Sequence, residues 1–241
     1  MISYGLSDPG LKRSNNEDAF LIRADLDLFV VADGMGGAAA GEVASELFIE
    51  TALQVFLRNK RTSEQETVEL IQEAFRLANE RILKHVIEYP HDQGMGCTAE
   101  LMTFSGQDYV LGHVGDSRGY LLRNGQLRRM TRDHSLIQDQ IDQGLITPVE
   151  AKRHSFRNII LRAVGADATL AVDLIRGKSL PGDIFLICSD GLTDMVDDPS
   201  IQKVLSLSSD LVKKVEKLIH SAKAAGGYDN ITVILCEMVS E

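Results

Sequence analysis

Short apolar runs bounded by Gly, Asp or Asn recur along the chain, and their content of branched and aromatic residues predicts β-strands. The runs cover residues 19–24, 28–32, 99–104, 109–114, 119–123, 183–189 and 231–237. Asn124-Gly125 is a typical hairpin turn, and Gly106-Gln107 predicts a second one. Because hairpins join antiparallel strands, the pattern favours antiparallel sheets over a doubly wound parallel sheet.

Apolar residues at helical spacing predict helices over residues 41–58, 64–88, 135–143, 148–152 and 209–225. Ser63 followed by Glu66 has the spacing of a capping box at the start of the second helix. Gly226-Gly227 is a typical stop after the last helix. Strands and helices are grouped rather than strictly alternating, which indicates an α+β fold.

The composition is that of an ordinary globular protein. The chain has 241 residues, of which 44% are hydrophobic and 25% are charged. This length, with an even composition and no repeat or linker, predicts one domain over residues 1–241. The net charge of −10 disfavours nucleic acids and anionic membranes as partners. No apolar run approaches the roughly 20 residues of a membrane span.

The cysteines and the first residues bear on the cellular compartment. Cys97, Cys188 and Cys236 are widely spaced and form no C-x-x-C pair, so neither a disulfide framework nor a zinc site is expected. Cys188 and Cys236 stand inside apolar runs and are interpreted as core residues. Residues 1–5 lack the pattern of a signal peptide. These features predict a cytoplasmic protein.

Carboxylates stand at the ends of several predicted strands. They are Glu17 and Asp18 before 19–24, Asp33 after 28–32, Asp116 between 109–114 and 119–123, Asp190 after 183–189, and Asp229 before 231–237. Each of them taken alone is explained as a turn or cap residue. If the strand ends coincide in space, however, repulsion among the carboxylates is costly unless a cation lies among them. A set of oxygen ligands suits Mg²⁺ or Mn²⁺ better than Ca²⁺.

A glycine-rich segment and an arginine accompany these acids. The run Asp33-Gly34-Met35-Gly36-Gly37 lets the backbone bring a carbonyl close to an ion, although a flexible strand-to-helix loop explains it equally well. It lacks the nucleotide-binding patterns G-x-G-x-x-G and G-x-x-x-x-G-K-[ST]. Arg13 precedes Asp18 by five residues and suits bidentate binding of a phosphate, the alternative being a solvated surface arginine.

Two further features have a structural and a functional interpretation. His113, just before the Gly115-Asp116 turn, is interpreted as a core histidine rather than a ligand, because a lone histidine seldom forms a site. Arg128, Arg129 and Arg132 form a basic patch that would attract acidic phosphopeptides, but a solvated face explains it at least as well.

Six motifs together resemble the metal-dependent protein serine/threonine phosphatases (PPM, protein phosphatase type 2C), and they stand in that family's order from about residue 5 to 238. They are Arg13-x-x-Asn16-Glu17-Asp18, Asp33-Gly34-Met35-Gly36-Gly37 with Gly41-Glu42, Gly94-Met95-Gly96-Cys97-Thr98, Gly115-Asp116-Ser117-Arg118, Ser189-Asp190-Gly191-Leu192 and Gly226-Gly227-x-Asp229-Asn230-Ile231-Thr232. Met35 and the segment Gln143-Gly144-x-Ile146-Thr147-Pro148 are similar to the compact bacterial branch.

The resemblance implies a four-layer α-β-β-α sandwich with two central antiparallel sheets and two Mn²⁺ or Mg²⁺ ions at one edge. It assigns Asp33 as a ligand of both ions and the Gly34 carbonyl as a ligand of one, with Asp190 and Asp229 on the other. Further assignments concern waters, a third ion, the substrate and a flap. They are Glu17 and Asp18 for metal-bound waters, Asp116 with Asp190 for a possible third ion, Arg13 for the substrate phosphate, and residues 138–165 for the flap.

The implied activity is hydrolysis of phosphoserine and phosphothreonine by a water that the two ions activate, without a phosphoenzyme. Arg13 and Asp33 are the implied catalytic residues, and the implied partners are phosphorylated proteins, substrates of a bacterial Ser/Thr kinase. The expected enzyme is a cytoplasmic monomer that binds neither nucleic acid nor membrane. Two alternatives remain open, a phosphoprotein-binding pseudophosphatase with weak or no turnover and a hydrolase of small phosphate esters.

This chain departs from the family pattern at a few positions. Met35 and Ala38 stand where other members carry a histidine that is a candidate for protonating the leaving group. A metal-bound water, or another histidine such as His134, is therefore expected to do so. Ser155 replaces a frequent proline in the flap, and Cys97 replaces Thr or Ser as a packing change.

Overall fold

The structure, a computed structural model, describes residues 1–36, 40–59, 63–151, 154, 156 and 158–239. Two five-stranded antiparallel sheets face each other, one in the order β1-β10-β9-β6-β7 and the other in the order β2-β3-β4-β5-β8. The strands are β1 Ile2–Asp8, β2 Asp18–Arg23, β3 Leu28–Met35, β4 Gly96–Ser105, β5 Asp108–Val114, β6 Arg118–Arg123, β7 Gln126–Arg129, β8 Asp173–Lys178, β9 Ile184–Cys188 and β10 Ile231–Glu237.

All seven predicted strands are present, and the structure adds β1, β7 and β8. Each added strand lies at an edge of its sheet. An edge strand has only one neighbour and keeps many polar residues, as the sequence Gln-Leu-Arg-Arg of β7 does. The hydrophobic pattern that reveals a central strand is therefore weak at these three positions.

The space between the sheets is filled by large apolar side chains. Phe29, Phe104 and Tyr109 come from the second sheet, and Phe185 and Ile234 come from the first. The ring of Phe185 lies 5.2 Å from that of Phe104 and 5.0 Å from that of Tyr109, both in edge-to-face geometry. Cys236 belongs to the same core and Cys188 is buried as well, which confirms both as core residues.

Helices cover the outer face of each sheet. They are α1 Ala40–Arg58, α2 Glu64–Glu88, α3 Leu136–Asp142, α4 Pro148–Ala151, α5 Asp190–Thr193, α6 Asp198–Leu205 and α7 Leu211–Ala224. Helices α1 and α2 pack on the second sheet, and α5 to α7 pack on the first. The expected α-β-β-α sandwich is thus confirmed.

Local signals placed most element ends correctly. The Ser63 side chain accepts a hydrogen bond from the backbone N–H of Glu66, so α2 begins where the capping pattern predicts. Asn124 and Gly125 adopt φ of 52° and 74° between β6 and β7, the left-handed values that a tight hairpin turn requires. Helices α5 and α6 were missed because one is a single turn and the other begins at Asp198-Pro199, a pattern shared with turns.

Among the described residues, no helix combines the length and apolar character needed to cross a bilayer.

Replacing Phe185 by Ala is expected to lower the free energy of unfolding by about 3–5 kcal/mol, because the side chain is 1% exposed and its removal leaves a cavity between the sheets. Urea unfolding measures the change. Leu180→Ala is the matched control, since Leu180 is 46% exposed. Equal losses in the two variants would show that the space between the sheets is not the main core.

Candidate active site

The predicted acidic positions meet at one edge of the sandwich. Asp18 opens β2 directly opposite Asp33 near the end of antiparallel β3. In the other sheet, Asp190 follows β9 and Asp229 precedes β10, and these strands pair antiparallel, so both residues stand at the same end. Asp116 lies in the turn before β6, which also pairs with β9. These five residues form the carboxylate cluster.

The electrostatics show that the five side chains are close neighbours. Burial, and then the charges of Asp18, Asp190, Asp116 and Asp229, raise the pKa of Asp33 well above its ordinary value. The pKa of Asp190 is raised in the same way, first by burial and then by surrounding carboxylates. Burial is also the main reason why the pKa of Asp18 rises to about 6 and that of Asp116 to about 7.

Asp18 is bound by neutral donors from the opposite sheet. The hydroxyls of Ser189 and Thr232 both donate to its Oδ2 atom, at 2.7 and 2.6 Å. These bonds join β2 of one sheet to the ends of β9 and β10 of the other. Both donors are neutral, and the Oδ1 atom of Asp18 is buried without a donor among the residues that the structure describes. Sequence reasoning assigned no role to either hydroxyl.

Asn230 fixes the loop that precedes β2. Its Oδ1 atom accepts a hydrogen bond from the backbone N–H of Glu17 at 2.8 Å, and its Nδ2 atom donates to the carbonyls of Asn15 and Pro9 at 2.8 and 3.1 Å. The loop containing Arg13 and Glu17 is therefore held against the start of β10. Asn230 stands inside a recognised motif, but the contact spans more than 200 residues and no local pattern reveals it.

Gly34 lies where two backbone segments nearly touch. Its N–H donates to the Glu17 carbonyl at 3.1 Å. A Cβ atom at this position would lie 2.1 Å from the carbonyl oxygen of Gly41, at the start of α1. Only glycine therefore fits, which explains its place in the glycine-rich run better than loop flexibility does. Gly37 and Ala38 of that run lie outside the described residues.

Arg13 lies beside the carboxylate cluster. Its Nη2 atom donates to Asp229 Oδ2 at 2.7 Å, and the two side chains are 51% and 36% exposed. This hydrogen bond is the main cause of the raised pKa of Arg13, to which the charges of Glu17 and Asp33 also contribute. A guanidinium that is half exposed at the rim of an acidic site remains accessible to an anion.

His134 is bound on both sides of its ring. Its Nδ1 atom accepts the backbone N–H of Gly115 at 3.0 Å, and its Nε2 atom faces Asp173 Oδ2 at 3.2 Å. Burial, followed by the neighbouring His113, lowers the pKa of His134 to about 4. At neutral pH this histidine is therefore neutral and already engaged, which weighs against it as the donor of a proton to a leaving group.

His113 is confirmed as a core histidine. It is completely buried, and its Nδ1 atom pairs with Glu100, which is completely buried as well. Burial is the largest effect and lowers the pKa of His113, but the charge of Glu100, the hydrogen bond to it and the bond to the Arg132 carbonyl act together against burial, and the net shift is upward. The basic patch is also accounted for in part, since Arg129 pairs with Asp133 and Arg132 pairs with Asp142.

The donor set fits a divalent cation. In the part of the chain that the structure describes, no three thiol, imidazole or carboxylate side chains are already grouped tightly enough to hold an ion. Asp18 is turned toward Ser189 and Thr232, and Asp229 toward Arg13. The buried Oδ1 atoms of Asp18 and Asp116 nevertheless lack donors among the described residues. Unpartnered carboxylate oxygens with raised pKa values are what a hard cation would stabilise.

The metal-free protein is expected to lose stability as pH rises from about 5 to 7. Since the pKa values of Asp18 and Asp116 are raised to about 6 and 7, the folded chain retains protons in this window that the unfolded chain has released. Thermal unfolding in EDTA measures the decline, which should be shallower in Asp116→Asn. Glu216→Gln, an exposed acid on α7, is the control. A flat or rising stability in wild type would contradict the raised pKa values.

His134→Gln is expected to destabilise the protein by about 1–3 kcal/mol, because the buried N–H of Gly115 loses its acceptor. His134→Asn should cost less, since its Oδ1 atom takes the place of Nδ1. Urea unfolding compares the two variants. If both lost the same stability, the bond to Gly115 would not be what fixes this turn.

Comparison with known proteins places these features in a family. The family model described as protein phosphatase 2C matches residues 12–235. The chain is 39% identical over 233 residues to the serine/threonine protein phosphatase PstP of Mycobacterium tuberculosis, which covers 97% of this chain but 44% of PstP. It therefore spans less than half the length of that relative. It is 36% identical over 238 residues to the serine/threonine phosphatase Stp of Listeria monocytogenes, covering 96% and 93% of the two chains.

Solved structures agree with this match. The catalytic domain of PstP in complex with two manganese ions has a TM-score of 0.90 and 37% identity, covering 99% of this chain and 98% of that chain. The serine/threonine phosphatase of S. agalactiae has a TM-score of 0.93 and 32% identity, with 99% of each chain covered. Sequence, fold and the acids gathered at one sheet edge lead to the same conclusion: the chain belongs to the protein phosphatase 2C family.

Proposed function

We propose that this chain is a metal-dependent protein phosphatase that hydrolyses phosphoserine and phosphothreonine in proteins. The observation that carries the proposal is the convergence of Asp18, Asp33, Asp116, Asp190 and Asp229, from both sheets, on one edge, where the charges of the other acids raise the pKa values of Asp33 and Asp190. Membership of the protein phosphatase 2C family and similarity to a manganese-bound catalytic domain support it.

The carboxylate cluster would hold two Mn²⁺ or Mg²⁺ ions. Asp33 and the Gly34 carbonyl would bind one ion, with Asp33 shared by the second, which Asp190 and Asp229 complete. When bound, two such cations supply an activated water and offset charge on the phosphoryl oxygens. The remaining acids have supporting roles: Glu17 and Asp18 would position waters, and Asp116 with Asp190 would take a third ion.

Arg13 would bind the phosphate of the substrate. Its guanidinium is half exposed and, within the described part of the chain, hydrogen-bonds through one Nη group to Asp229, so its other N–H groups can donate to phosphate oxygens. The neighbouring acids Glu17 and Asp33 keep it protonated, since their charges raise its pKa further. A phosphate held there lies beside the carboxylate cluster.

The proton for the departing seryl or threonyl oxygen would come from water. His134 is neutral at neutral pH and has partners at both ring nitrogens. Met35 carries no proton to give, and Ala38 lies outside the described residues. Water within the acidic site is the donor that these residues leave available.

The complete set of acids also favours catalysis over a pseudophosphatase. Carboxylates that repel one another reduce the stability of the fold. A protein that only bound phosphoproteins would not need this cluster, whereas an enzyme would need it to hold its cations. We infer further that residues 1–241 form one domain, because the first and last strands pair with each other and both sheets share one core. Residues 138–165 form its flap subdomain, of which 152, 153, 155 and 157 lie outside the described residues.

The remaining proposals concern the cellular setting. The protein would act as a cytoplasmic monomer, which the three buried, unpaired cysteines support as far as the compartment is concerned. Its substrates would be proteins phosphorylated by a Ser/Thr kinase. Size-exclusion chromatography tests the monomer, and fractionation of the producing cells tests the compartment.

Hydrolysis of p-nitrophenyl phosphate and of a phosphothreonine peptide is expected with Mn²⁺ or Mg²⁺ and not in EDTA. Asp33→Asn and Asp190→Asn should each lower kcat by at least about 100-fold, because each removes a charged ligand from the cations. Asp210→Asn, at the N-terminus of α7, is the control, since asparagine preserves the cap there.

Two results would overturn the proposal. One is turnover that persists in EDTA, and the other is full activity of a folded Asp33→Asn protein. Binding of Mn²⁺ by isothermal titration calorimetry gives a readout that does not depend on turnover. It should be weaker in both cluster variants than in the Asp210→Asn control.

A further inference from the structure

Asp18 belongs to a closed ring of hydrogen bonds beside the carboxylate cluster. Asn16 donates from Nδ2 to Ser7 Oγ at 2.8 Å. The hydroxyl oxygens of Ser7 and Thr232 lie 2.7 Å apart, and the Thr232 hydroxyl donates to Asp18 Oδ2 at 2.6 Å. The backbone N–H of Asp18 donates to Asn16 Oδ1 at 3.3 Å, which closes the ring. These four residues form the hydroxyl ring.

The strand pairing brings the members of the hydroxyl ring together. Ser7 in β1 stands directly opposite Thr232 in β10, within the first sheet. Asp18 opens β2 in the second sheet, so the bond that it receives from Thr232 crosses from one sheet to the other. Asn16 stands in the loop just before β2 and connects that loop back to β1. The ring therefore holds Asp18 by its carboxylate and by its backbone.

The charge of Asp18 sets the direction of the hydrogen bonds between the side chains. An ionised carboxylate, the form that a cation requires, only accepts, so the single hydroxyl proton of Thr232 lies in the bond to Asp18. Thr232 must then accept from Ser7, and the Ser7 oxygen accepts the amide proton of Asn16. The donors thus all point toward Asp18, and hydrogen bonds that follow one another in this way strengthen each other.

Ser189 gives Asp18 a second hydroxyl donor. Its Oγ atom accepts the backbone N–H of Thr232 at 2.9 Å and donates to Asp18 Oδ2 at 2.7 Å. The carbonyl of Asn230, at 3.5 Å, is a more distant acceptor for the same proton. In a regular antiparallel pair a backbone carbonyl would accept the N–H of Thr232, so the Ser189 hydroxyl takes its place where β9 ends. Ser189 and Thr232 are both completely buried.

The two carboxylate oxygens of Asp18 have different surroundings. Oδ2 receives both hydroxyl protons, whereas Oδ1 is buried and has no donor within the described part of the chain. The carboxyl group also lies close enough to Asp33 for the two side chains to interact, as their opposed positions on β2 and β3 allow. The bonds to Oδ2 therefore fix the orientation of the carboxylate and leave Oδ1 for the cluster.

We propose that Ser7, Thr232 and Ser189 are positioning residues for the cations of the carboxylate cluster. They act through Asp18, whose Oδ2 atom they hold so that Oδ1 is left for a cation or for its water. Groups that orient metal ligands in this way typically change metal affinity by about 10–100-fold when they are removed. The inference rests on the proposed function, because it requires the cluster to bind divalent cations. It adds Ser7, which lies outside the six motifs.

A purely structural role of these hydroxyls has a different signature. Each bond also connects neighbouring strands or the two sheets, so its removal lowers stability whatever the cluster binds. A positioning role lowers Mn²⁺ affinity as well, and it does so only while Asp18 is charged. Mn²⁺ binding measured with and without that charge therefore distinguishes the two roles.

A double-mutant cycle on Mn²⁺ binding tests the inference. Thr232→Val removes the hydroxyl with little change in shape, and Asp18→Asn removes the charge but keeps an oxygen that accepts the hydroxyl protons. Isothermal titration calorimetry should show Mn²⁺ binding about tenfold weaker in Thr232→Val than in wild type. In the Asp18→Asn background the same change should alter the affinity by about twofold or less, because no charged group remains to be positioned.

Conservative variants separate the hydroxyl from the packing of the side chain. Thr232→Ser keeps the hydroxyl and should bind Mn²⁺ within about twofold of wild type. Ser7→Ala removes the donor to Thr232 and should weaken binding by about 2–5-fold, whereas Ser7→Thr should restore it. The Ser7 pair carries the test by itself if Thr232→Val does not fold or if Asp18→Asn binds Mn²⁺ too weakly to measure.

Thr67→Val is the matched control. The hydroxyl of Thr67 is completely buried and donates to the Ser63 carbonyl at 2.9 Å, at the start of α2 and outside the carboxylate cluster. Its removal should lower stability and leave Mn²⁺ affinity unchanged. Thermal unfolding in EDTA measures the stability of every variant without the metal.

The outcomes separate this inference from the proposed function. Wild-type Mn²⁺ affinity in Thr232→Val and in Ser7→Ala, together with metal-dependent hydrolysis of p-nitrophenyl phosphate by the wild type, would overturn the positioning role alone. An equal loss of affinity with and without Asp18→Asn would do so too, since the hydroxyl would not act through that carboxylate. A wild-type protein that neither binds Mn²⁺ nor hydrolyses any substrate would overturn the proposed function, and this inference with it.

Discussion

Repulsion among carboxylates at one edge of the sandwich is the constraint on which the rest of the structure depends. The charges of four other aspartates raise the pKa of Asp33, and two of these residues, Asp190 and Asp229, are held by the opposite sheet. Left to itself, such a cluster would push the sheet edges apart. The aromatic core around Phe185 and the hydrogen bonds from Ser189 and Thr232 to Asp18 hold the two sheets together against that force.

The groups that bind these acids are mostly neutral, which leaves the carboxylates able to hold a cation. Ser189 and Thr232 donate to Asp18 as neutral hydroxyls, and Asn230 fixes the neighbouring loop through backbone groups. A lysine or arginine in these places would have neutralised the site and made it a structural ion pair. Arg13 is the exception, and it is half exposed at the rim, where a substrate phosphate would be bound.

Residues 160 and 164 are joined to the surroundings of the carboxylate cluster through short backbone contacts. Val164 pairs with Cys97, which lies opposite Gly34, and Ile160 pairs with Ser135. His134, next to Ser135, holds the turn that carries Asp116. The segment from Ser135 to Val164 and the residues that would hold the cations therefore share one framework.

The sequence by itself determined the central strands, most helices and the set of strand-end acids, because hydrophobic periodicity and turn chemistry are local properties. It also carried the six motifs that resemble the protein phosphatase 2C family, from which the sandwich and the ligand assignments followed. Only the tertiary structure decided which polar groups work together. Arg118 stands in the same sequence motif as Asp116, for example, yet it pairs with Asp133, a residue that no motif contains. Partners such as Asn230 and Glu17 are distant along the chain, so only the fold brings them together.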